Sequence, residues 1–239
     1  MRIIKKADDY WRYNLQRLIQ KKYPPQKGGV LVFHEVTDEP DTPMKPDYAI
    51  RTDEFTTFID SLREKKAFFG RFDEEAIKPG KIYITFDDGF KSLLHTAIPV
   101  LEKREIQYIV FVPTDYIGKP GYVTKEELSE ILGKSNSVIG GHSKSHRRMH
   151  GLRLQEIKDE ITGSKKELED IIERPVEYFA YPYGSMNAIG FFSKRAAKNA
   201  GYRYAFSTLC VDNRKYKDPF FYPRITVTSN NYKQILEMM

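Results

Sequence analysis

A single cysteine, Cys210, stands among the 239 residues, so no internal disulfide holds the chain together and its stability has to come from buried apolar surface. No apolar run approaches the roughly 20 residues that a membrane-spanning helix needs. The first fifteen residues, MRIIKKADDYWRYNL, also lack the continuous hydrophobic segment of a secretory signal. These absences make a cytoplasmic protein the expectation, with Cys210 a small buried side chain in a reducing compartment. Glycine-rich fingerprints for dinucleotides or nucleotide phosphates are missing. So are internal repeats, low-complexity tracts and any linker long enough to separate one domain from another.

Hydrophobic residues are plentiful at 40%, with aromatics at 13%, enough for a core without disulfide staples. Residues 1–30 hold eight basic side chains (Arg2, Lys5, Lys6, Arg12, Arg17, Lys21, Lys22, Lys27) against Asp8 and Asp9, which accounts for the whole net charge of +6. Trp11, Leu15, Leu18 and Ile19 recur there at helical spacing and predict a basic amphipathic helix from about Asp8 to Lys22. The expected division is therefore a helix and linker over 1–27 and one domain over 28–239. Such a helix packs on the domain with its basic face in water, or makes a peripheral contact with the inner membrane surface. Beyond it no basic stripe is interleaved with aromatics, so no nucleic-acid partner is expected.

From Val30 onward, short β-type runs alternate with helical patterns. Strands are expected at Val30–Phe33, Lys81–Phe86, Tyr108–Val112, Ser137–Ile139, Tyr178–Tyr181, Arg203–Phe206 and about Ile225–Val227. Helices are expected at Thr52–Lys65 with Thr52 or Asp53 as cap, then at Lys91–Arg104, Thr124–Leu132, Leu154–Arg174 and Ile189–Ala200. About seven alternations argue for a parallel β/α fold, either an open doubly wound sheet or a barrel. In such folds reactive groups gather at the carboxyl ends of the strands. His34, Asp87-Asp88, His142 and the Tyr181–Gly184 turn all fall at predicted strand ends.

Asp87 and Asp88 are adjacent carboxylates after a hydrophobic strand, with Gly89 free to take the angles of a sharp turn. Alone, the triplet reads as turn or capping residues. His142 and His146 change its weight, because their spacing puts two imidazoles on one face if the segment is helical. Two His and one carboxylate form a common metal set, suited to zinc and compatible with iron, cobalt or nickel. His95 reads as a structural helix residue and His150 as an exposed one.

Thr85-Phe86-Asp87-Asp88-Gly89, His142-Ser143-Lys144-Ser145-His146 and Phe179-Ala180-Tyr181-Pro182-Tyr183-Gly184, in that order, resemble the three leading motifs of the polysaccharide deacetylases, the NodB-homology group. The resemblance runs from about Val30 to Val227. It implies a distorted (β/α) barrel of seven or fewer parallel strands, a divalent metal with zinc first, and an N-acetylated carbohydrate as substrate. It also implies that Asp88, His142 and His146 are the metal ligands, that Asp87 is the general base, and that the Tyr183 N–H, in the turn of Pro182 and Gly184, stabilises the oxyanion.

Two departures stand out. The commonest family pattern takes its general acid from a Leu-x-His motif near the C-terminus, yet no His follows His150. Val30–Thr37 is instead similar to the N-terminal strand of the branch that deacetylates poly-N-acetylglucosamine, which makes His34 the expected acid. The Arg usual in the third motif is replaced by Ala180. Arg224 either supplies that guanidinium from a later strand, holding Asp87 ionised, or forms a structural ion pair. The function expected is hydrolysis of an N-acetyl group on a sugar, with acetate as product. The alternatives are a carbohydrate-binding pseudoenzyme of the same fold and a deacylase of a non-sugar amide.

Overall fold

The computed structural model describes residues 2–39 and 46–239, apart from the side chains of residues 2–9 and of Pro46. Its elements in chain order are α1 (Arg2–Lys22), β1 (Gly29–Phe33), α2 (Thr52–Glu64), β2 (Ile82–Phe86), α3 (Ala97–Glu102), β3 (Tyr108–Val112), α4 (Lys125–Leu132) and β4 (Ser137–Gly141). There follow α5 (Leu154–Lys158), α6 (Ser164–Ile172), β5 (Tyr178–Ala180), α7 (Ser193–Asn199), β6 (Tyr204–Phe206), β7 (Arg224–Thr226) and α8 (Tyr232–Met238).

Among the described residues the strands form one seven-stranded sheet in the order β6-β5-β4-β3-β2-β1-β7, every pairing parallel. The edges nearly meet. Just before β7, Tyr222 donates its N–H to Ala205 O at 2.9 Å and accepts from Ser207 N–H at 2.8 Å, so the sheet curls into a distorted barrel, as expected.

Strand alternation sorts the side chains into two cores. Val30, Tyr83, Ile109, Phe111, Tyr178, Ala180, Phe206 and Tyr222 make one buried cluster with Phe72 and Ile77, which fills the barrel. Their neighbours along the strands, such as Leu31, Phe33, Ile84, Phe86, Val110 and Phe179, join the larger cluster beneath the helices. The register puts Val30 beside Tyr83 and Arg224, and Thr85 beside Ile109. Gly140 has to be glycine for the barrel interior to close, because a Cβ there would lie 2.4 Å from the Phe111 ring.

The helices depart from expectation in ways that local chemistry explains. No side chain of Thr52 or Asp53 caps α2 as Ncap; the Ncap is Arg51, and Asp38 reaches across to accept from Thr52 N–H at 3.2 Å. The helix expected at Lys91–Arg104 is broken into a 3₁₀ turn over Lys91–Leu94 and the short α3. At the break Thr96 turns its hydroxyl to Val36 O at 2.8 Å, and Pro99 sits in the first turn of α3, where its missing N–H is tolerated. His95 lies at this break and is exposed. The helix expected at Ile189–Ala200 starts only at Ser193, and α8, which the sequence reading did not foresee, closes the chain against α2.

Helix α1 is longer than expected. Its apolar residues divide: Leu15 and Ile19 are half-buried, whereas Trp11 and Leu18 are 60% and 65% exposed. Polar contacts set this rotation, since Gln16 accepts from Met186 N–H at 2.9 Å and Tyr23 O, just past the helix, accepts from Asp212 N–H at 3.1 Å. The side chains of Arg2, Lys5, Lys6, Asp8 and Asp9 lie outside the described residues.

Candidate active site

The parity that fills the barrel also builds the site at its carboxyl end. Along β2 the inward series is Tyr83, Thr85 and then Asp87; along β4 it is Val138, Gly140 and then His142; along β1 it is Val30, Val32 and then His34. Each reactive group is the next inward position beyond its strand; Asp87 and His142 are buried and His34 is half-buried. Asp88 has the opposite parity. It reaches the same mouth because its backbone turns left-handed, at φ 73°, with Gly89 following at φ 67°, conformations that non-glycine residues adopt rarely.

Asp88 Oδ1 lies 3.4 Å from His142 Nε2 and 3.1 Å from His146 Nε2. One ligand atom from each of the three residues falls within 4.8 Å of the others. His142 Nδ1 faces Ala180 O at 2.8 Å, which in the neutral ring commits the N–H to the carbonyl and leaves the Nε2 lone pair aimed at Asp88. Asp88 Oδ1 is buried with no donor directed at it from neutral rings, so positive charge, as protons on imidazole or as a cation, is what the trio demands. Burial pushes the Asp88 carboxyl up, but His142 and His146, once protonated at the nitrogens that face it, outweigh burial and hold it far below the usual carboxylate range. Burial pushes His142 down, but the charge of Asp87 and the bond to Asp88 outweigh it and raise its pKa. A buried carboxylate and two lone-pair nitrogens converging on one point fit a tetrahedral zinc site with a position left open.

The His-x-x-x-His segment is not helical, contrary to the geometry considered from spacing. Ser143 and His146 take φ of 66° and 56°, and a tight loop rather than a helix face brings the two rings to 5.0 Å between centroids. His150 is also off any helix. It is half-buried in a turn, its N–H donating to Ala188 O at 2.8 Å.

Arg224 is fully buried and takes the bidentate position on Asp87, with Nη1 to Oδ1 and Nη2 to Oδ2 both 2.7 Å. Its Nε donates to Ser207 O at 3.1 Å and Nη1 also to Thr85 Oγ1 at 3.2 Å. The guanidinium lies over the rings of Phe111 and Phe206, 5.4 and 5.8 Å from their centroids. Burial pushes Asp87 up, but the charges of Arg224 and His142 outweigh it and hold its carboxyl below the usual range. Asp87 Oδ2 is 4.0 Å from His142 Nε2, so an ionised carboxylate stands beside the three-residue trio.

His34 is half-buried at the same mouth, with its ring edge-on to Tyr48 at 5.6 Å and its buried Nδ1 lacking a hydrogen-bond partner. Burial lowers its pKa, opposed in part by the charges of Asp88 and Asp87. Pro182 and Gly184 are buried, while Tyr183 is 52% exposed with φ 62°. The Tyr183 ring lies tilted against His146, 5.0 Å between centroids, and the Arg148 guanidinium is 4.9 Å from its centroid. Gly184 O accepts from Thr208 N–H at 2.8 Å, and a Cβ at 184 would lie 2.6 Å from that nitrogen, which pins the turn.

Tyr116 and Tyr122 were missed by the sequence reading. The Tyr116 ring is 5.9 Å from His146 and 4.8 Å from Tyr122. Only their place after β3, in the loop facing the mouth, could have marked them.

A parallel barrel with a carboxylate and two histidines at its carboxyl end, beside an Arg-held second carboxylate, defines a class of hydrolase scaffold. The chain belongs to the polysaccharide deacetylase family, whose pattern matches residues 75–205, more than half its length. The poly-beta-1,6-N-acetyl-D-glucosamine N-deacetylase of Staphylococcus aureus (strain MSSA476) is 25% identical over 211 residues, 80% of this chain and 71% of that one. The YxkH protein of Bacillus subtilis (strain 168) is 29% identical over 127 residues, 53% of this chain and only 44% of that one. In fold, the chain is similar to IcaB from Ammonifex degensii, with a TM-score of 0.75 at 24% identity, covering 89% of this chain and 97% of that one. The Streptococcus pyogenes deacetylase PplD gives a TM-score of 0.72 at 16% identity, covering 90% and 99%.

Proposed function

We propose that this protein is a metal-dependent hydrolase that removes the N-acetyl group from an acetamido sugar, with a β-1,6-linked N-acetylglucosamine chain as the first substrate to try. The observation that carries the reading is the convergence of Asp88, His142 and His146 around one unsatisfied carboxylate oxygen, with Asp87 held ionised beside it. The relative from Staphylococcus aureus suggests the polymer. A nucleotide-linked or lipid-linked precursor is the other form such a sugar takes.

Asp88, His142 and His146 would hold the cation, zinc by their chemistry, with cobalt, nickel or iron able to substitute. When bound, such an ion supplies Lewis-acid polarisation and lowers the pKa of coordinated water from about 15.7 towards ~7. Asp87 takes the proton released as water attacks the acetamide carbon, because Arg224 keeps both of its oxygens charged and aimed. The Tyr183 N–H, presented by its left-handed turn, donates to the developing oxyanion. His34 delivers a proton to the departing amine from its place at the same mouth. The exposed Tyr183 ring offers an apolar face to a sugar at the mouth.

The outward side of α1 carries exposed Tyr10, Trp11, Tyr13 and Leu18 together with Arg17, Lys21 and Lys22. Aromatic and cationic residues on one exposed helix suit an anionic lipid surface, which for a cytoplasmic protein is the inner face of the membrane. The test of the main reading is acetate release from poly-β-1,6-N-acetylglucosamine and its oligosaccharides by zinc-loaded protein, compared with small non-sugar amides. Release from the sugars alone supports the proposal. Release from the amides alone reassigns the chemistry to a non-sugar deacylase, and release from neither leaves a pseudoenzyme.

A further inference from the structure

The loop that carries both histidines has no secondary structure of its own beyond Gly141, and two of its residues, Ser143 and His146, sit in left-handed backbone. Something outside the loop has to hold it, because each such residue costs on the order of 1–3 kcal/mol of strain. A carboxylate from a distant helix meets it. Glu160 Oε2 accepts from the N–H groups of Lys144 at 3.1 Å and Ser145 at 2.9 Å, and Oε1 accepts from the Ser145 hydroxyl. Those donors all lie between His142 and His146.

Glu160 is 5% exposed, and a buried carboxylate is costly unless its oxygens are hydrogen-bonded. Here the loop supplies that hydrogen bonding, so carboxylate and loop fix one another. The backbone around Glu160 departs from α geometry: Asp159–Gly163 is a π turn between α5 and α6, the kind of single wide turn that marks functional positions in helices. Ser164 Oγ donates to Glu160 O at 2.7 Å, satisfying a carbonyl that the wide turn displaces. Ile157, Ile161 and Leu168 keep the helix on the core while Glu160 turns to the loop. On the other side of the loop, Thr114 N–H donates to Ser143 O at 3.1 Å and Asp115 N–H to Lys144 O at 2.9 Å. His146 N–H donates to Ser143 Oγ at 3.1 Å. The segment is held from both flanks: on the helix side Glu160 bonds its backbone and Glu167 pairs with Lys144 Nζ, and on the other side stand Thr114 and Asp115.

The geometry points to Glu160 as a positioning residue that sets the distance and angle between His142 and His146, and through them the affinity of the cation site. This rests on the reading of Asp88, His142 and His146 as metal ligands. Outer groups that orient ligands typically change metal affinity by about 10- to 100-fold when removed.

The test titrates zinc by calorimetry into the metal-free full chain as wild type, Glu160→Ala, Glu160→Gln and Leu168→Ala, with unfolding midpoints measured in parallel. Glu160→Ala is expected to bind zinc about 10- to 100-fold more weakly, and Glu160→Gln, which keeps one acceptor oxygen, less weakly than that. Leu168→Ala, a core truncation in the same helix, should lower the unfolding midpoint and leave zinc affinity unchanged. Amide exchange at Lys144 and Ser145 should accelerate in Glu160→Ala and not in Leu168→Ala. Zinc affinity in Glu160→Ala within about twofold of wild type overturns the assignment, as does an equal loss in Leu168→Ala. If Glu160→Ala does not fold, an unchanged affinity in Glu160→Gln decides against it. A wild-type chain that takes up no zinc sinks the metal-site reading itself and takes this inference with it.

Discussion

Replacing Arg224 by Met removes the cation while keeping an unbranched apolar chain between Phe111 and Phe206. What is left behind is Asp87, 2% exposed, deprived of two hydrogen bonds of 2.7 Å. Breaking a buried pair by deleting one partner costs roughly 3–5 kcal/mol, which for a chain of this size lowers the unfolding midpoint by about 6–20 °C. The cost depends on pH with a definite sign. Asp87 has a folded pKa below its unfolded value of about 3.9, so its stabilising contribution is fully present above pH ~3.9 and is lost as pH falls through the folded pKa. The stability gap between wild type and Arg224→Met should therefore be widest near neutrality and shrink on acidification. Burial then acts on Asp87 without the guanidinium to oppose it, so the base is protonated at higher pH. The acid limb of kcat/KM should move upward, with kcat/KM at neutral pH down at least about 100-fold from lost positioning. Urea unfolding at a series of pH values and a pH–rate profile read both effects. Equal stability at neutral pH together with an unmoved acid limb would refute the reasoning, and Arg224 would then be a spectator.

His34→Ala should lower kcat on an N-acetyl sugar by about 10²–10⁴-fold while leaving hydrolysis of p-nitrophenyl acetate, whose leaving group needs no proton, near wild type; equal losses on both substrates contradict the acid role. Deleting residues 1–22 should abolish sedimentation with phosphatidylglycerol vesicles and leave turnover of short soluble oligosaccharides intact, whereas undiminished sedimentation removes the lipid-contact proposal.

The fold was legible because parallel strands buried on both faces read as short apolar runs, and β3 over Tyr108–Val112 matches its expected bounds to the residue. The site was legible because Asp87, His142 and His34 fall at the carboxyl ends of expected strands; that each is the next inward position became visible only with the sheet, since β4 runs on to Gly141, past its expected end at Ile139. Arg224 stood between two readings on sequence alone. Its fork on Asp87 depends on β7 pairing with β1, next to the strand that carries Asp87, a topological fact that no local pattern carries. The histidine spacing suggested a helix face, but positive φ at Ser143 and His146 bends the segment into a loop, and helical spacing cannot foresee left-handed backbone at serine and histidine. Glu160 was not singled out within the helix expected at Leu154–Arg174, because the π turn over Asp159–Gly163 that aims it inward leaves no mark in composition. Periodicity grouped Trp11 and Leu18 with Leu15 and Ile19 on one apolar face of α1, but with Gln16 held by Met186 N–H Trp11 and Leu18 face outward.

The central claim is that Asp88, His142 and His146 grip one cation, and metal content measured on the folded protein tests it most directly. After chelation and zinc reloading, elemental analysis should find about one zinc per chain in wild type and in Asp87→Asn, whose side chain is outside the ligand set, and close to none in His142→Ala or Asp88→Asn. Wild-type protein that is folded yet holds no zinc, or His142→Ala that holds as much as wild type, contradicts the account.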